Sequence, residues 1–322
     1  MAEQSKKGQA GKLFLKLFIF AVPFICIALV FVMFEPYDYW GIFKDNRGYF
    51  AVTPVPRMRG FMHSDATAVM IGDSRTEHLD MNDISAASEF TVLNLASGGQ
   101  SLRESIDMFW FAVGERKLET VYFELSFYTM NLKYDHARMA EAIELATSTV
   151  SYITFKDTQN NVKIGLMEYL LPTLVEPETV EAGEVKSKEQ SMLDYAALIN
   201  SVCTDYVLNE TAIERLKDVA VYCKENDIKL VFYVPPCHST IWENVIEPLS
   251  LEDEMDMYKR ELSFYADIYD MEYISAITEN DAAFRDGFHF EGEVLEEYIA
   301  AICTGEGENL RVWRNGEIIV QG

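Results

Sequence analysis

Residues 17–34 read Leu-Phe-Ile-Phe-Ala-Val-Pro-Phe-Ile-Cys-Ile-Ala-Leu-Val-Phe-Val-Met-Phe without a single charge. In a hydrocarbon layer such a run has one low-energy solution, a helix that pairs all its own backbone groups. With Leu13 to Lys16 ahead of it, the segment is long enough to cross a core of about 30 Å. Residue 23 is a proline, which membrane helices tolerate when neighbours satisfy the freed carbonyl. Lys6, Lys7, Lys12 and Lys16 precede the run, while Glu35 and Asp38 follow it. The positive-inside bias therefore places the amino terminus in the cytoplasm and the rest of the chain outside, with localisation to the cell membrane as a single-pass protein. A cleaved signal peptide shares the charged start and apolar stretch. The length of the run and the lack of small residues at Phe34-Glu35-Pro36 favour an uncleaved anchor.

At 322 residues and 49% apolar content, the chain can build one sizeable α/β domain plus attachments. The formal net charge is −25, and residues 1–34 carry +3 (four Lys against Glu3), which leaves −28 on the remainder. Phosphate binding needs clustered Lys and Arg, so nucleic acid is not expected as a partner. The acidity reads as a solvated surface, with a preference for cationic ligands as the alternative. Of the five cysteines, Cys26 lies in the apolar run, and Cys203, Cys223, Cys237 and Cys303 are scattered without metal spacing. Buried thiols are the default reading, and one disulfide stays compatible with the spacing. No group of ligand-type residues on one element suggests a metal site.

Residues 35–62, with Tyr37, Tyr39, Trp40, Tyr49 and Phe50 and prolines at 54 and 56, read as an aromatic membrane-proximal linker. Beyond it, near-continuous apolar runs at Thr67–Ile71, Thr91–Ala96, Thr120–Leu125 and Ile228–Pro235, and a weaker one at Glu272–Ile277, predict strands buried on both faces. Helical spacing lies between them. The clearest case is Glu210–Glu225, with Asn209 as cap and Ile213, Leu216, Val219, Ala220 and Cys223 on one face. Alternating strands and helices predict crossover units and a parallel sheet, with sites outside the carboxyl ends of the strands. The segment 131–205 lacks strand patterns, carries an acidic loop around Glu176–Glu184, and reads as a helical insertion that could form a lid. Asn315-Gly316 between two short apolar runs predicts a terminal hairpin at 306–322.

Two short motifs carry the chemistry. Ile-Gly-Asp-Ser-Arg at 71–75 presents Ser74 just after the first strand, and Asp-Gly-Phe-His at 286–289 supplies an acid and an imidazole three residues apart. A serine hydroxyl is a weak nucleophile at neutral pH. It needs a base, and the base needs a partner that fixes its tautomer. His289 and Asp286 fill those places.

The order and spacing of these motifs resemble the SGNH (GDSL-type) hydrolases over about residues 65–303. The resemblance implies a three-layer α/β/α, flavodoxin-like fold, assigned to residues 63–305, with Ser74 as nucleophile, His289 as base and Asp286 as its orienting acid. In that family a glycine N–H after strand two joins the serine N–H in holding the oxyanion. Asn94-Leu-Ala-Ser-Gly98-Gly99 matches in position, and either Gly98 or Gly99 fits. The family's third block, Gly-x-Asn-Asp after strand three, is missing. This chain reads Phe123-Glu-Leu-Ser126-Phe-Tyr-Thr-Met-Asn131, which leaves Asn131 as the candidate side-chain donor.

The chain resembles membrane-anchored members with a degenerate third block that act on cell-envelope polymers, including those of teichoic-acid D-alanylation and polysaccharide O-acetylation. That resemblance implies transfer or removal of acyl esters on a surface glycopolymer, beside a membrane-bound O-acyltransferase, with no cofactor. Two other readings stay open: a non-catalytic scaffold or binding protein of an acylation complex, and a hydrolase of small soluble esters. Arg75 could pair with Asp73 or Glu77 or bind an anionic substrate, and His238, after the fourth strand, could line the pocket. His78 shares a helical face with Ser74 and reads as a surface or capping residue rather than the base. No role is assigned to His63 or His136.

Overall fold

The computed structural model describes residues 2–35, 37–42, 54–88, 90–171 and 186–320. The acidic stretch 176–184 and residues 43–53 of the expected linker lie outside them. In chain order the elements begin with α1 (Ala2–Phe34), α2 (Pro54–His63), β1 (Ala68–Ile71), α3 (Ser74–Glu77), α4 (Met81–Ala87), β2 (Val92–Asn94), α5 (Leu102–Glu115) and β3 (Thr120–Glu124). There follow α6 (Met139–Thr147), α7 (Thr149–Thr154), α8 (Lys156–Leu170), α9 (Lys188–Cys203), α10 (Glu210–Glu225) and β4 (Lys229–Val234). The chain closes with α11 (Ser239–Ile241), α12 (Glu247–Leu249), α13 (Glu252–Leu262), β5 (Ile268–Asp270), α14 (Glu293–Thr304), β6 (Arg311–Arg314) and β7 (Glu317–Val320).

Two compact units form, Met1–Ala51 with Glu144–Glu181 and Val52–Ile143 with Ala182–Gly322. The second is an α/β unit around one seven-stranded sheet of order β2-β1-β3-β4-β5-β6-β7. The first five strands are parallel, and β6 and β7 are antiparallel additions. The parallel part, 2-1-3-4-5, is the flavodoxin-like doubly wound order, and its switch point lies between β1 and β3. Side chains alternate across the sheet. Ala68, Met70, Tyr122, Val231 and Tyr233 join one apolar cluster with Tyr298, Ile299 and Ile302 of α14. Val69, Val121 and Phe232 are also fully or almost fully buried, and their alternate positions put them on the opposite face. Every residue of β1, β2 and β3 is buried, as strands covered by helices on both faces require.

Local chemistry explains the elements that were legible. Asn209 caps α10, its side chain accepting from the Ala212 amide. Asn315 and Gly316 both take positive φ, 51° and 82°, which is the turn that lets β6 and β7 pair closely. The expected fifth strand at Glu272–Ile277 is corrected: the strand is Ile268–Asp270, and 272–277 is loop. Charge explains the difference. Buried Asp270 and Glu272 hold Lys259 of α13 at 3.0 and 3.4 Å, and Trp313 Nε1 donates to Asp270 at 2.9 Å. This polar knot ends the strand. The five cysteines are free thiols, four of them buried.

In the first unit, α1 contains a stretch, Lys12–Phe34, long and apolar enough to cross a membrane. Glu35 follows at once and is almost fully buried. Its carboxyl accepts from the Tyr37 and Tyr39 amides and from the Tyr152 hydroxyl at 2.7 Å, which pins α7 to the end of α1. Burial raises its pKa, against those hydrogen bonds.

Removal of Lys259 would leave Asp270 and Glu272 buried without a counter-charge. Lys259→Met is therefore expected to cost about 3–5 kcal/mol in urea unfolding of the detergent-solubilised chain. A loss below about 1 kcal/mol would mean that the knot does not hold α13 on the sheet.

Candidate active site

Ser74 stands at the first position of α3, immediately beyond the carboxyl end of β1. The turn into it is built by its neighbours. Asp73 is extended (φ −95°, ψ −157°) and its side chain accepts from the Arg75 amide. Gly72 has no room for a side chain, since a Cβ would overlap Glu124 Oε2 and lie 2.7 Å from Glu124 Cβ. Glu124, the last residue of β3, accepts from the Asp73 amide at 3.0 Å and from Thr76 Oγ1 at 2.5 Å.

The second motif forms a tight loop ahead of α14. Asp286 Oδ1 accepts from the amides of Phe288 and His289, at 3.2 and 2.8 Å. Its carboxylate meets His289 Nδ1 at 2.9 Å, and His289 Nε2 lies 2.7 Å from Ser74 Oγ. An Nδ1–H donated to the carboxylate leaves Nε2 free to accept from the serine. Burial opposes ionisation of Asp286, but the bonds from the His289 ring and amide outweigh it and pull the carboxyl down to about 2. The three residues singled out by motif are thus brought together.

The structure assigns three other expected site residues differently. Arg75 is 1% exposed, and its guanidinium is taken up by partners inside the protein. It pairs with Asp73 at 3.1 Å and Glu124 at 2.8 Å, donates to the Pro235 carbonyl at 3.5 Å, and lies 4.2 Å over the Phe288 ring. Burial disfavours its charge, but those two carboxylates hold its pKa well above the ordinary value. Burial and the adjacent Asp73 push Glu124 up, whereas against burial Arg75 holds Asp73 down. His238 is also buried. Its ring nitrogens engage Thr240 Oγ1 and Asp281 Oδ1, and its amide donates to the Gly287 carbonyl at 2.8 Å. It braces the Asp286–His289 loop instead of walling the pocket. Asn131 is fully buried, its Nδ2 donating to Val202 O and its Oδ1 accepting from the Lys133 and Val207 amides. With both ends of the amide engaged, it ties together two stretches of the chain and is not a donor to the oxyanion.

The glycine turn lies beside the serine turn, because the Ser97 amide donates to the Gly72 carbonyl at 3.3 Å. Among the described residues, the N–H groups of Ser74, Gly98 and Gly99 have no acceptor. Gly99 has φ +64°, and its carbonyl accepts from Tyr134 and Arg138.

A cavity of about 220 Å³ opens at the site, lined by Arg75, His78, Arg285, His289, Phe290 and Glu291. His78, expected as a surface or capping residue, is the exposed C-cap of α3, and its ring centroid is 5.5 Å from that of His289. Burial, then His289 and Arg285, lower its pKa. Sequence reasoning missed Tyr195 of α9. That ring stacks on Phe288 at 5.4 Å and meets His289 edge-on at 5.2 Å. Burial, followed by Asp286 and Asp73, raises its phenol to about 12, with a hydrogen bond to Ser74 acting the other way. Tyr195 therefore keeps its phenolic proton beside the serine. The signal was available as the helical spacing Met192, Tyr195, Ala196, Ile199, which turns Tyr195 inward. Among the described residues, no group of three or more His, Cys, Asp or Glu is placed to hold a metal ion.

No family model matches the chain, and no curated protein matches it. Solved structures similar to it include a Bacteroides fragilis protein provisionally described as an acylhydrolase, at 11% identity and TM-score 0.37, over 73% of this chain and 83% of that one. Another is a Streptococcus pneumoniae protein provisionally described as a platelet activating factor, at 9% identity and TM-score 0.37, over 77% of this chain and 87% of that one.

Two outcomes follow from this geometry. Gly72→Ala should destabilise the chain by about 1–3 kcal/mol in urea unfolding, because Glu124 must shift; an unchanged midpoint would contradict the close approach. Asp286 holds its proton less tightly folded than unfolded, so its ionisation stabilises the fold above the ordinary carboxyl pKa of 3.8 and the contribution fades as pH falls toward 2. The stability difference between wild type and Asp286→Asn should then shrink between about pH 5 and about pH 2. A pH-independent difference would contradict it.

Proposed function

We propose that this chain is a membrane-anchored, extracytoplasmic serine esterase or O-acyltransferase that acts on acyl esters of a cell-surface glycopolymer, in partnership with a membrane-bound O-acyltransferase. The observation that carries the reading is the continuous relay from Asp286 to His289 at 2.9 Å and from His289 to Ser74 at 2.7 Å, at the edge of an open cavity. The resemblance of both motifs to SGNH hydrolases, in their cell-envelope branch, supports the substrate class.

Ser74 Oγ attacks the acyl carbon while its proton passes to His289 Nε2, and Asp286 stabilises the imidazolium. The carbonyl oxygen becomes an oxyanion next to the free N–H groups of Ser74 and of Gly98 or Gly99. Tyr195 donates its hydroxyl where the family has an asparagine. Collapse expels the alcohol, which takes the proton from His289. Water or a sugar hydroxyl then attacks the acyl-serine, gives its proton to His289, and releases acid or new ester with Ser74 restored. A non-catalytic scaffold is favoured by one observation, the engagement of Asn131 elsewhere, and Tyr195 answers it.

In a strain lacking this chain, the acyl-ester content of the surface polymer should change, and wild type but not Ser74→Ala should restore it. With the purified chain and an acylated polymer fragment, Asp286→Asn should lower kcat on the order of 10³-fold or more. Tyr195→Phe should lower it on the order of 10²-fold with KM unchanged. Full restoration by Ser74→Ala would replace the enzyme reading with the scaffold.

A further inference from the structure

We infer that the second half of α8 is a second membrane contact, buried in the lipid interface beside the point where α1 leaves the bilayer. The inference rests on the reading of α1 as a membrane span. Both helices belong to the same compact unit.

The sequence of α8 is polarised along its axis rather than around it. Its first half, Lys-Asp-Thr-Gln-Asn-Asn-Val-Lys at 156–163, is polar; the stretch from 164 to 171 reads Ile-Gly-Leu-Met-Glu-Tyr-Leu-Leu. In the apolar half Ile164, Met167, Tyr169 and Leu170 are 52%, 51%, 73% and 61% exposed, and Leu171 is exposed as well. Such a patch on a helix end is costly in water, at roughly 25 cal/mol per Å². The stretch is also too short to span, rising about 12 Å against a core of about 30 Å.

Contacts with α1 set its depth. Asn161 donates to the Tyr37 hydroxyl, beyond the span, whereas Gly165 lies against the Phe34 carbonyl and Tyr169 packs on Phe34 at 5.5 Å, the last residue of the apolar stretch. The polar half of α8 therefore starts outside, and the apolar half descends to the level where the span ends. Aromatic rings mark that level. Tyr39 stacks on Tyr152 at 3.9 Å, and Trp40 and Tyr152 meet Phe31 edge-on at 6.1 and 6.4 Å. Tyr and Trp concentrate where headgroups meet acyl chains. A helix end that is apolar apart from one exposed carboxylate, Glu168, fits the lipid interface at this depth, burying about 5–10 Å into it.

The test uses the full chain reconstituted in phosphatidylcholine–phosphatidylglycerol bilayers, with Cys26→Ser to remove the one exposed thiol. Spin labels go on Met167→Cys, on Leu29→Cys in the span and on Asp157→Cys at the polar start of α8. Collisions with molecular oxygen and with a water-soluble nickel chelate report depth. Oxygen should exceed nickel several-fold at 167 and 29, with the reverse at 157. If 167 behaves like 157 while 29 is in lipid, the inference fails and the span stands. If 29 is in water, the span fails and the inference with it. Shielding of 167 from both reagents would mean that protein covers the helix end, which also overturns it.

Discussion

The guanidinium of Arg75 is enclosed by Asp73, Glu124, the Pro235 carbonyl and the face of Phe288. Those partners come from the ends of β1, β3 and β4 and from the loop that carries His289, so one buried charge ties every segment that must meet at the serine. A buried ion pair of this kind is a poor source of net stability and a strict constraint on geometry, since losing one partner strands the others. Gly72, Thr76 and Tyr128 complete the arrangement. Tyr128 donates to Asp73 at 2.7 Å, and Thr76 bridges Glu124 to Tyr233. The serine turn is thus held from below by a polar network almost wholly removed from solvent, where each hydrogen bond counts for more than it would in water.

Above that network, the site is assembled by rings and amides. Phe288 has Arg75 on one contact and Tyr195 stacked on another, so the same residue that fixes the serine turn also fixes the insertion helix α9 over the imidazole. At the end of β3, Glu124 is taken into the Arg75 network, and Tyr195 of α9 packs against Phe288 and His289 beside the serine. His238 supports the loop from outside, through the Gly287 carbonyl.

Much of the fold was legible because burial on both faces writes a strand as a continuous apolar run, as in β1 to β4, and because Asn209 and Asn315-Gly316 act through local chemistry alone. The serine and the Asp-His pair were legible for a different reason: their chemistry demands those residue types together. What escaped depends on contacts remote in sequence. For Arg75 the pairing with Asp73 was one of the readings left open, and its other partner, Glu124, was hidden by lying 49 positions away. Asn131 looked like a donor because nothing local reveals that Val202 and Val207 consume it. Ile268–Asp270 is three residues long and was outshone by the more apolar stretch after it, whose Glu272 is buried against Lys259. Tyr195 lay in a segment with no strand to anchor the reading.

The central claim is that Ser74 is a nucleophile made reactive by His289. Treatment of the intact chain with a fluorophosphonate, followed by proteolysis and peptide mass analysis, tests it most directly. The account predicts a single phosphonyl adduct on the peptide containing Ser74, formed at wild-type rate only when His289 is present. An unmodified Ser74 in folded protein, or an adduct that forms equally fast in His289→Ala, would contradict it.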